Sequence, residues 1–128
     1  MAEMSNHLEN ALINATLRNT SYTSPATVYV GLFTSDPTDA GSGTEVSGGS
    51  YARKSATFAA PSNGVSTTSA DITFDQCTAT WGTIGWIGIF DALTTGNLLY
   101  HTALDASKTI DTGDIFKIAA ASLTVTLA

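Results

Sequence analysis

The feature that most constrains this chain is a change of rhythm at Pro25. Before it, Met4, Leu8, Ala11, Leu12 and Ala15 fall on one helical stripe, with Glu9, Asn10 and Asn14 elsewhere. After it, short apolar runs alternate with a period of two between clusters of Gly, Pro, Asn and Asp. A 3.6-residue pattern and a two-residue pattern cannot share one element, so the chain should be a helix followed by an antiparallel β domain. The helix is expected over Ala2 to Arg18, within an N-terminal segment 1–19. Asn6 with Glu9 three residues on resembles a capping box, and Ser5 or an earlier residue is an equally good start. The stripe fades at Arg18-Asn19-Thr20, and Pro25 blocks continuation.

The β rhythm predicts seven or eight short strands over residues 26–128. Thr27 to Thr34 reads as a buried strand closed by Ser35-Asp36-Pro37. Gly41 to Ser50 reads as a mobile loop. Tyr51 to Phe58 alternates Tyr51, Arg53, Ser55 and Thr57 against Ala52, Lys54, Ala56 and Phe58. Pro61-Ser62-Asn63-Gly64 is a turn, and Ala70, Ile72 and Phe74 share one face. Ile84 to Asp91 is the most hydrophobic run; Gly85 and Gly88 inside it signal a bulge or a close backbone approach. Leu98 to Leu104, Lys108 to Ile110, Asp114 to Ala119 and Ser122 to Leu127 follow, with tight turns at Thr95-Gly96-Asn97 and Asp111 to Asp114. The expected fold is mainly β, an antiparallel β-sandwich or jelly-roll-like single domain (1–128) with one N-terminal α-helix.

Charge excludes some partners. The 128 residues are 43% hydrophobic and only 12% charged, with a net charge of −6. Soluble domains average about 25% charged, so Thr, Ser, Gly and Ala form much of this surface. Such a surface tolerates permanent burial in an assembly better than one rich in Lys and Glu. Only Arg53 and Lys54 are adjacent cations, so no direct nucleic-acid binding is expected. No run approaches a membrane span, and the first ten residues lack the basic and apolar regions of a signal peptide.

Catalytic chemistry finds no clear set of residues. His7 and His101 are the two histidines, and no nucleophile motif accompanies them. Each reads as a surface or interface residue. Cys77 reads as a small buried residue. Asp71 with Asp75, and Asp111 with Asp114, could form carboxylate pairs, but all four fall at turns or strand ends where Asp serves the backbone. Asp36, Asp39 and Asp105 add no calcium-loop spacing, so no metal and no cofactor are expected. Trp81 and Trp86 flank Gly82 to Gly85 and are candidate interface or glycan-stacking aromatics. The helical stripe Met4, Leu8, Leu12 and Ala15 is the candidate partner-contact face, because a sandwich needs no helix to close its core. It either covers the sheet or docks on a neighbour.

Several segments carry a resemblance. Asn10 to Ile13, Ser24 to Pro37, Gly49 to Arg53, Trp81 to Ile84, Ile87 to Ala92, Gly96 to Tyr100 and Thr112 to Asp114 together resemble, in order, a family of small tailed-bacteriophage virion proteins. Members are commonly labelled tail-fibre-like, without assigned active residues. The resemblance implies a non-enzymatic virion subunit, assembled in the host cytoplasm, that contacts other capsid or tail proteins and forms homo-oligomers. Since no repetitive shaft is present, a capsid cement or decoration subunit is the favoured expectation. A tail-fibre or baseplate adhesin binding a host glycan is second, and a carbohydrate-active enzyme third.

Overall fold

The computed structural model describes residues 2–127. Its first elements differ from the helical stripe. Strand β1 (Glu3–Met4) comes before helix α1 (Asn6–Leu17), so the helix starts later than Ala2 and Met4 lies outside it. Ser5 decides the boundary. Its backbone is extended, its hydroxyl accepts the Leu8 N–H at 3.2 Å, and the same hydroxyl donates to the Leu98 carbonyl. The stripe extended to Met4 because cross-strand pairing with distant residues leaves no local signature. The far end agrees with the sequence: Asn19 takes a left-handed φ of 53°, and the Thr20 N–H returns to the Asn14 carbonyl at 3.0 Å.

The β elements are β2 (Val28–Phe33), β3 (Lys54–Ala56), β4 (Val65–Thr67), β5 (Ile72–Thr73), β6 (Gly82–Phe90), β7 (Leu98–Ile110), β8 (Lys117–Ile118) and β9 (Thr124–Thr126). An antiparallel five-stranded sheet runs β1-β7-β6-β2-β3. Two short ladders, β4 with β9 and β5 with β8, supply the opposing layer. Alternation decides what fills the space between. Val30, Leu32, Ile84, Ile87 and Ile89 face inward from the large sheet and meet Ile72, Phe74, Phe116, Ile118, Leu123 and Val125. The fold is thus mainly β and sandwich-like with one N-terminal helix.

Two expectations change in detail. Leu98 to Leu104 and Lys108 to Ile110 form one strand, which pairs with β6 on both sides of a register shift that spans the exposed Asp105-Ala106-Ser107. Gly41 to Ser50 is pinned rather than mobile. The Val46 N–H donates to the Leu32 carbonyl at 2.9 Å, and Glu45 bridges Phe33 across the sheet edge. The Asn63-Gly64 turn stands as expected, with φ of 52° and 78° and Ser62 and Val65 hydrogen-bonded both ways.

The outer face of the large sheet holds a smaller cluster of Phe33, Phe90 and Leu98, with Trp86 half-buried against it. The register shift between Ile84 and Trp86 is the bulge signalled at Gly85, and it turns Trp86 outward. Beneath the cluster, Gly31 and Gly88 are direct cross-strand partners. A Cβ at Gly88 would stand 2.8 Å from Leu98 Cδ1 and 2.9 Å from Phe33 Cε1; one at Gly31 would stand 2.7 Å from Glu45 Oε2. The pair makes a bare strip on which the Phe90 ring lies. Replacing Gly31 with Ala should therefore cost about 1–3 kcal/mol, as overpacked cores do. The expected reading is a lower urea midpoint with unchanged slope.

Candidate functional site

Segments that are separate in sequence converge on this outer cluster. Arg53 is 9% exposed, and its guanidinium stacks 3.5 Å above the Phe90 ring. Its Nε and Nη2 donate to the two Glu45 oxygens, both at 2.8 Å, and Nη1 donates to the Ala92 and Thr95 carbonyls at 2.9 and 2.8 Å. The Tyr51 hydroxyl donates to Glu45 Oε2 at 2.6 Å and accepts the Leu32 N–H at 2.9 Å. Burial, then the bond to Glu45, pushes the Tyr51 hydroxyl far above its usual range, so it remains a donor.

Arg53 thus ties the Glu45 loop, β2, the approach to β3 and the loop after β6 into one body. Every named donor has its acceptor, which makes the arrangement a rigid clasp. The alternation over Tyr51 to Phe58 gave no sign that Arg53 is buried. One signal was present: Glu45 is the sole acid between residues 40 and 70, close to the one adjacent cation pair.

Other candidates fall into place around the clasp. Trp81 is buried in the main core, set edge-on to Tyr51 at 5.5 Å, with its Nε1 donating to the Gly49 carbonyl at 2.9 Å. No ring face is left for a sugar. Trp86 lies with the outer cluster, on the other side of the sheet, so the two indoles form no shared platform. Leu8 is buried within the chain, and Ala11, Leu12 and Ala15 are half-buried. The helix packs on β7 and β1, so the proposed contact stripe faces its own sheet. Met4 is half-buried on β1. The outward apolar residues of the helix are Ile13 and Leu17, exposed by 53% and 79%.

The aspartates of the two candidate carboxylate pairs, and Asp91, have local partners. Asp71 accepts the Ala120 N–H at 2.8 Å and pairs with Lys117, and the backbone bond chiefly holds its carboxyl below the usual range. Asp75 pairs with Lys54 at 2.8 Å. Asp111 and Asp114 close their own turn. Burial alone would raise the Asp91 carboxyl, but bonds from the Asn97 backbone and side chain outweigh it and hold it low. Cys77 is buried and donates to the Ala79 carbonyl. His101 differs from its sequence reading: it is buried, with Asp39 at 2.8 Å.

The convergent segments are those that carried the resemblance: the β2 run, Tyr51 to Arg53, and Ile87 to Ala92. A family model described as podophage GP4 fiber I protein gp80 matches residues 3–126. The chain belongs to that family. The match takes in β1, α1 and both sandwich layers, so the clasp and the helix are both inside the family's span. The protein is accordingly a tailed-phage virion structural protein. No curated protein matches the chain.

Proposed function

We propose that this chain is a compact, non-enzymatic module of a virion fibre that works by holding other virion subunits. The observation that carries this reading is the pair Ile13 and Leu17. They are four residues apart, share a helix face, and remain exposed while the apolar stripe on the other side of the helix covers the sheet. An apolar pair at the free end of a helix locked onto a rigid body suits a repeated contact, either with a second copy or with a neighbouring virion protein. The fibre designation of the family supports placement in a fibre over placement on the shell. A shell decoration subunit is the second reading, favoured by the scarcity of charge on the surface.

Replacing Ile13 and Leu17 together with Asp tests the contact. Both side chains are exposed, so the isolated variant should keep its melting temperature. Its incorporation into particles should fall by at least about tenfold, the effect of losing roughly 1.4 kcal/mol of contact energy. Normal incorporation would remove the helix from the assembly contact. A particle reconstruction with the density on the capsid shell would favour decoration.

A further inference from the structure

We propose that Glu3, Asp39 and His101 form a binding site for one divalent ion of the zinc class. The three side chains come from three separate segments, and each has a backbone anchor. Glu3 is the direct cross-strand partner of His101, so both project from the same face of the β1–β7 ladder. Asp39 is fixed because its own carbonyl accepts the Asn6 N–H at 2.9 Å, at the start of the helix.

Their ligand atoms already converge. His101 Nε2 stands 2.8 Å from Asp39 Oδ1 and 4.0 Å from Glu3 Oε2, and one ligand atom from each residue lies within 4.8 Å of the others. Ligands about 2.0–2.1 Å from a tetrahedral zinc ion stand roughly 3.3 Å apart, a spacing that these two distances bracket. Small side-chain rotations therefore suffice. The site is not a loose acidic patch, since the imidazole is 93% buried, its side chain only 7% exposed, and it cannot turn freely.

The second nitrogen of the same ring faces a further carboxylate. Asp36 Oδ1 stands 4.0 Å from Nδ1 and is itself held by the Thr38 N–H at 2.9 Å. A metal-bound histidine typically donates from its other nitrogen to a carboxylate, so Asp36 would close in from 4.0 Å to fix the tautomer and ring angle. An ion at Nε2 requires the ring tautomer with its proton on Nδ1, so that Nε2 gives its lone pair to the ion. One imidazole with two carboxylates suits zinc or a neighbouring transition ion better than calcium, which takes only oxygens. Two carboxylates balance the ion's charge, and water completes the shell. The ion would staple β1 and the helix start to β7, which the two-residue ladder alone holds weakly.

Calorimetric titration of the full chain with zinc chloride at neutral pH should show one saturable site per chain. Thermal melts should rise with zinc and fall back with a chelator. Glu3 is 72% exposed at its side chain, so Glu3→Gln should leave the metal-free melt unchanged while weakening zinc binding by at least about tenfold. Asp39→Asn should weaken it similarly, and His101→Gln should abolish it. Absence of saturable binding, or binding indifferent to Glu3→Gln, would overturn the assignment, the latter pointing to a site elsewhere, such as His7.

Discussion

Arg53→Ala is expected to lower stability by about 3–5 kcal/mol, the usual result of removing one partner from a buried ion pair. Glu45 is more exposed than Arg53, which places the effect toward the lower end. Three losses add together: the two-pronged bond to Glu45, the bonds to the Ala92 and Thr95 carbonyls, and the stacking on Phe90. Thermal melting should show a fall of roughly 10 °C or more for a chain of this length. Arg53→Lys should restore only part of this. A single ammonium cannot hold both Glu45 oxygens and two carbonyls while lying flat on a ring. A lysine variant as stable as the parent would mean that the clasp contributes charge alone.

Leu8→Asp should be comparably costly, at least about 3 kcal/mol, because it puts a carboxylate where Leu8 is buried. Adding Leu12→Asp extends the damage along the same stripe. The loss should be visible in the isolated chain, well before any particle forms. This outcome contrasts with the Ile13 and Leu17 pair, whose replacement should spare the isolated chain. The two double variants therefore separate the helix's internal face from its external one. If Leu8→Asp with Leu12→Asp melted normally and failed only in incorporation, the stripe would be an assembly face after all.

Local rules made much of the fold legible. The helix body, the Pro61 to Gly64 turn, the bulge at Gly85, the burial of β2 and the alternation of β5 and β9 each follow from short-range pattern and turn chemistry. Pairings that join distant residues were not legible. Glu3 and Met4 look helical until Tyr100 and His101 are placed beside them. Arg53 looks exposed until the Glu45 loop folds over it, and that loop looked mobile because its glycines hid how firmly β2 holds it. The placement of the candidate site residues was hidden for the same reason. Trp81 and Trp86 are close in sequence, yet a bulge and a strand boundary send them to opposite sides of the sheet. His101 is uninformative alone, and becomes so placed that it faces Glu3, Asp36 and Asp39 only through the fold.

The pairing of Glu3 with His101 also sets an order of events in folding. Until β7 has been made and has zipped against β6, the first strand has nothing to pair with and the helix has no surface to lie on. The helix and the strand before it are therefore among the last parts of the fold to settle. Contacts that span so much of the chain slow the search for the native state, since a long loop must close before they are rewarded. The β6–β7 hairpin, joined by the seven-residue loop 91–97, is the most local of the large pairings and is expected to form before the N-terminal segment condenses onto it. Until then its apolar stripe lies open, so early partners would meet the face that the finished protein hides.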